Sequence, residues 1–286
     1  MTYEYFLMRL EQNIRKRLET GEMVKKVRVL KNNGVELDGF SYYVEGHRER
    51  PTVYVNQYYR KELSEEELVK IADTVLKTQR ECGLLSQQGL EEMMDFHVMR
   101  ERIRCRLISR EKNEALLKEV PWLPWLDLAI VFYLQVPKQV VEHATVLIYT
   151  SHMNFWGVTP EEICHAAAEN MAKVQVFLEP MESFLGEIGF EPLSSGMHIL
   201  SNRRKMFGAV VIIDPKVQRM CLERLGESFY ILPSSIHELL LLPESLATTR
   251  EELDQLIQEV NEACVSREEY LSDHAYYYSA EKEEVE

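Results

Sequence analysis

Residues 3–19 place Phe6, Leu10, Ile14 and Leu18 four apart, with Gly21 just beyond, which predicts an amphipathic helix with a glycine stop. The pattern then changes to strands over 23–31 and 35–44. They are joined around Asn33-Gly34, a strong hairpin signal, which would set Lys31 opposite Glu36 and Leu30 opposite Leu37. A third strand is expected over 51–59. A helix over 65–82 follows, opened by Ser64 with Glu67 as a capping box and stopped at Gly83, and a short helix over 88–97 closes this stretch.

Beyond residue 97 the grammar becomes two strands and then a helix. Strands at 127–136 and 145–150 precede a helix opened by Thr159-Pro160-Glu161-Glu162. Strands at 197–201 and 208–213 precede a helix capped by Asp214-Pro215 and ended at Gly226. Strands at 229–232 and 237–242 precede a helix opened by Thr249 and Glu252, with Leu253, Leu256, Ile257 and Val260 as its apolar stripe. Short links imply antiparallel pairing. The expected fold is α+β: antiparallel sheets built from hairpins, with helices on one face and repeated β-β-α units in the C-terminal part. Three regions are expected: 1–96, a larger unit over 97–265, and a polar, frayed tail over 266–286 whose end carries four glutamates and a lysine.

The 286 residues carry a net charge of −14, which argues against nucleic acid and anionic membrane surfaces as partners. Five cysteines, widely spaced and without a C-x-x-C, read as reduced thiols rather than a disulfide framework. The first 18 residues lack the apolar run of a signal peptide, and the longest apolar stretch, 126–136, is too short to span a bilayer. A cytoplasmic protein is the expectation. The glycine-rich phosphate loops, the H-E-x-x-H zinc motif and the G-x-S-x-G nucleophile motif do not occur, and no cofactor is expected.

Four arginines, Arg100, Arg102, Arg104 and Arg106, alternate with Ile103, Cys105 and Leu107. On a strand they would share one face at about 7 Å intervals, a ladder for an anion or an acidic partner. Arg203 and Arg204 lie in a basic link, 202–205, suited to phosphate or carboxylate. Ser235, His237 and Glu238 suggest a nucleophile with its base, with His198 as a further candidate, although serines are also common turn residues. Glu161, His165 and Glu169 recur every four residues on a predicted helix, an incomplete metal shell.

The segments PTVYVNQYY (51–59), RLISREKNEALLKEVPWLPWLDLAIVFYL (106–134), LSNRRKMFGAVVIID (200–214), SFYILPSSIHELLLLP (228–243) and VNEACVSREEYLSDHAYYY (260–278) run in order over most of the chain. Together they resemble an uncharacterised bacterial, Firmicute-type domain family of unknown function. The resemblance implies a bacterial cytoplasmic protein and transfers no activity, cofactor or site residue. The residues themselves favour a non-enzymatic binding or adaptor protein for an acidic protein partner or a small anion. A hydrolase using His237 with Ser235 or Glu238, and a metal-binding protein centred on His165 and Glu169, are the alternatives.

Overall fold

A computed structural model describes residues 1–44, 52–81, 95–136, 145–183 and 196–286. Of these, 1–31, 35–44 and 52–81 form one compact unit. Residues 32–34, 95–136, 145–183 and 196–286 form a second.

In the first unit, α1 (Tyr3–Arg15) buries Phe6, Leu7, Leu10 and Ile14, the face its four-residue spacing set out. The strands β1 (Glu22–Leu30), β2 (Glu36–Val44) and β3 (Val53–Tyr54) form an antiparallel sheet in that order. Helix α2 (Glu65–Glu81) supplies Leu68, Ile71, Ala72, Val75 and Leu76 to the same core, which Phe40 and Tyr42 complete. Each buried leucine, isoleucine, valine or phenylalanine among them contributes about 1.5–3 kcal/mol by leaving water. The expected Ser64–Glu67 capping box is present. The hairpin register differs by one residue from expectation: Leu30 faces Glu36 and Val29 faces Leu37. The cause is a three-residue turn, Asn32–Gly34, in which both Asn33 (φ 56°) and Gly34 (φ 67°) are left-handed. The helix expected over 88–97 lies mostly outside the described residues; a single turn, Phe96–Met99, is seen.

The second unit holds two sheets. In the first, β6 (Leu128–Gln135) is flanked by β4 (Ile103–Ser109) on one side. On the other side lie β5 (Trp122–Trp125) and β7 (Thr145–Leu147), end to end. Two helices follow, α3 (Thr150–Trp156) and α4 (Pro160–Met171); α4 carries the Thr159–Glu162 capping box.

The other sheet has six strands: β8 (Val176–Pro180), β9 (His198–Asn202), β10 (Phe229–Pro233), β11 (Leu239–Pro243), β12 (Tyr276–Ser279) and β13 (Glu284–Val285). Their order is β13-β12-β10-β11-β9-β8, with every pairing antiparallel. Helix α5 (Pro215–Leu225) starts on the Asp214 cap and ends at Gly226. Helix α6 (Arg250–Cys264) packs Leu253 and Ile257 on Leu232 and Leu242, while Leu256 and Val260 stay exposed. The fold is α+β, as the pattern of elements predicts.

Two expectations are corrected. Residues 208–213 form a 3-10 helix (Gly208–Ile213), not a strand, and β9 pairs with β8 and β11 instead. The segment is apolar and almost wholly buried, so it has no periodicity that would separate helix from strand. The 266–286 tail is structured: Leu271, Ala275, Tyr276 and Tyr278 are buried, and β12 lies between β10 and β13. No described helix is long and apolar enough to cross a membrane.

Candidate anion-binding site

A cavity of about 430 Å³ in the second unit is lined by Arg104 of β4, Tyr133 of β6, Lys173 just beyond α4, and Arg203, Arg204 and Phe207 of the loop after β9. Arg104 and Tyr133 are directly paired across β4 and β6. They therefore point to the same side of the sheet. Arg104 is half-buried, whereas Lys173, Arg203 and Arg204 are exposed. Met171, Val174, Met206 and Val210 supply apolar wall, and Gln135 and Gln175 supply amides.

The loop that carries two of the cations is held by one side chain. Asn202 Oδ1 accepts from the backbone N–H of Arg204 (3.0 Å) and of Met206 (3.4 Å), while its Nδ2 donates to Met206 O (2.8 Å). Arg203 N–H donates to Gln175 O at 3.0 Å. Within this loop Lys205 (φ 52°) and Phe207 (φ 53°) are left-handed without being glycine. For a residue as bulky as phenylalanine that is a strained geometry, held only where its surroundings enforce it. His237 is part of that enforcement. Its Nδ1 accepts the Phe207 N–H at 3.1 Å, and its ring stacks on the phenyl ring, centroids 5.3 Å apart and 14° from parallel.

The electrostatics are one-sided. No described carboxylate pairs with Arg104, Lys173, Arg203 or Arg204. Arg104 Nη1 donates to the carbonyls of Glu101 (2.8 Å) and Ile103 (2.9 Å), which fixes the guanidinium plane. Burial lowers the Arg104 pKa, and the nearby Arg204 cation lowers it further. Burial pushes the Tyr133 phenol up to about 12, so it carries its proton and can donate. Arg106, further along β4, has a buried Nε with no hydrogen-bond partner among the described residues. Its guanidinium lies 4.7 Å from the centroid of the Phe207 ring. Burial also lowers its pKa, and the cation–π contact offsets part of that cost.

The sequence-derived candidates divide. Arg104, Arg203 and Arg204, from separate parts of the sequence, meet at the cavity. The four-rung arginine ladder does not form. The strand begins only at Ile103, and Arg100–Arg102 wind into a 3-10 turn, where Arg100 pairs with Glu169 at 3.0 Å. Ser235 and His237 do not make a nucleophile and base. Ser235 Oγ accepts the His237 backbone N–H (3.0 Å), and His237 Nδ1 is already occupied by Phe207. The imidazole Nε2 is 3.6 Å from Glu269 rather than being served by Glu238. His198 Nδ1 lies 3.3 Å from the Gly196 carbonyl.

Glu161, His165 and Glu169 are exposed on α4. Among the described residues no cluster of three His, Cys, Asp or Glu could hold a metal ion. Sequence reasoning missed Lys173, Tyr133 and Phe207. Phe207 stands two residues after the basic link, and that closeness of aromatic and cations was the one available signal. A lysine after a helix carries none.

No curated protein and no solved structure matches this chain. A family model matches residues 3–280, nearly the whole length, and the chain belongs to that family, the family of unknown function DUF5688.

Proposed function

We propose that this protein binds a small anionic ligand in the Arg104–Arg204 cavity and performs no chemistry on it. One observation carries the reading: among the described residues, four cations and no carboxylate line a single cavity in a chain whose net charge is −14. We read the charge of these four side chains as left for a ligand to balance. The concave shape and the volume, within the roughly 300–1,000 Å³ usual for ligand sites, favour a small molecule over an acidic protein surface. The four described cysteines are all free thiols, in keeping with a cytoplasmic setting.

Calorimetric titration with pyrophosphate and with citrate at low salt tests the reading. One charge-assisted hydrogen bond is worth about 1.5–3 kcal/mol. Arg204→Glu should therefore weaken binding of whichever anion is held at least about tenfold. Arg204 is exposed, so its unfolding midpoint should stay unchanged. Equal affinity in the wild type and the variant would refute the assignment.

A further inference from the structure

Resting on the anion-binding reading, we infer that the ligand is a phosphate monoester carrying a planar heteroaromatic body, of the nucleoside monophosphate kind. The first argument is the direction of the donors. The cations come from three places in the fold: Arg104 from β4, Lys173 from the chain after α4, and Arg203 with Arg204 from the loop after β9. A carboxylate presents one charge and two coplanar oxygens. A phosphomonoester presents close to two charges and three terminal oxygens spread tetrahedrally, so donors arriving from three sides can each find one. Arg104 is set for this role: Nη1 is spent on two carbonyls, while Nε and Nη2 make no hydrogen bond to the described residues. The guanidinium is oriented in advance and keeps donors in reserve.

The second argument is the remainder of the cavity. A phosphoryl group fills only a part of about 430 Å³, and Met171, Val174, Met206 and Val210 give the remainder an apolar wall beside the amides of Gln135 and Gln175. A sugar in the place of the base would press additional hydroxyls against these side chains without partners, at a cost of about 1–3 kcal/mol for each one buried. A heteroaromatic ring buries its faces at no such cost, and flexible thioethers such as Met171 and Met206 adapt to a flat surface. The Gln135 and Gln175 amides each offer a donor and an acceptor, matching the mixed edge of a nucleobase.

The test uses the full-length protein and calorimetry with adenosine 5′-monophosphate, adenosine, glucose 6-phosphate, inorganic phosphate and citrate. The monophosphate should bind at least about 100-fold more tightly than adenosine, which lacks the charge. It should bind at least about tenfold more tightly than glucose 6-phosphate or inorganic phosphate, which lack the planar heteroaromatic ring. Arg104→Met should weaken it at least about tenfold. Arg204→Glu, on the exposed loop, gives the same readout should Arg104→Met fail to fold. Citrate binding as tightly as the nucleotide overturns the phosphomonoester while leaving the anion site standing. Equal binding of all phosphates overturns the planar body. Failure of every anion to bind overturns both readings.

Discussion

Protonation of His237 should loosen the loop that shapes the cavity. The Phe207 N–H points at Nδ1, so that nitrogen must be bare and the ring proton must sit on Nε2, 3.6 Å from Glu269. Burial lowers the His237 pKa below the usual 6.5, and the Arg106 cation acts in the same direction. Glu269 and Glu238 oppose it without reversing it. The unfolded chain therefore takes up a proton near pH 6.5, and the folded chain does so only at lower pH. The stabilisation from neutral His237 is complete above 6.5 and is lost as pH falls through the folded value. Its slope is at most about 1.4 kcal/mol per pH unit. Between pH 7.5 and 5.5 only the lower unit counts, so the loss is at most about 1.4 kcal/mol. His152, whose pKa burial also lowers, adds a loss in the same window, so the wild type alone cannot isolate the effect. His237→Asn can: its Oδ1 can accept the same N–H and does not titrate. Urea unfolding at the two pH values should show the wild type losing up to about 1 kcal/mol more than the variant. Anion affinity should fall on acidification in the wild type more than in the variant. Equal pH dependence would refute the role given to this imidazole.

Two further outcomes follow from close contacts elsewhere. Gly208→Ala would set a Cβ about 2.6 Å from both Asn202 N and His237 O, and against Ser201 Oγ. Because two of these obstacles are backbone, the cost should lie near the upper end of the usual overpacking range, about 3 kcal/mol. It would be read as a lower urea midpoint, and a midpoint matching the wild type would contradict the geometry. In the first unit, hydrogen bonds from Arg80 hold the Glu22 carboxyl at about 2, with the Glu19 N–H and the Tyr42 hydroxyl adding to them against the effect of burial. Its contribution is present above the usual 4.5 and is lost as pH falls from there towards 2. Glu22→Gln should flatten the acid limb of the stability profile, and an unchanged limb would show that this carboxylate is not the group responsible.

Helix starts were legible because their signals are local. Thr159 with Glu162, Thr249 with Glu252 and Ser64 with Glu67 each close hydrogen bonds within four residues, and all three caps are present. What depends on distant partners was not legible. Tyr276–Ser279 becomes a strand because β10, some 45 residues earlier, offers it an edge. The hairpin register turns on Asn32 joining the turn: Asn33 and Gly34 are left-handed, as a two-residue type I′ turn would also require, so the Asn-Gly signal does not separate the two loop lengths. Of the candidate site, the arginines were visible as residues and not as a constellation. Arg104 and Arg204 are 100 positions apart, and the packing of the segment 208–213 beside β4 brings their neighbourhoods together.

The order of the six-stranded sheet also affects self-association. Its outermost strands among the described residues are β13, two residues long and begun by Glu284, and β8, which carries Glu179 and ends at Pro180. A short, acidic rim and one that ends on a residue without an amide hydrogen are poor templates for a strand from another molecule. The apolar run Leu239–Leu242, which would be sticky at a margin, is enclosed between β10 and β9. The strand order thus shields this leucine run from intermolecular zippering.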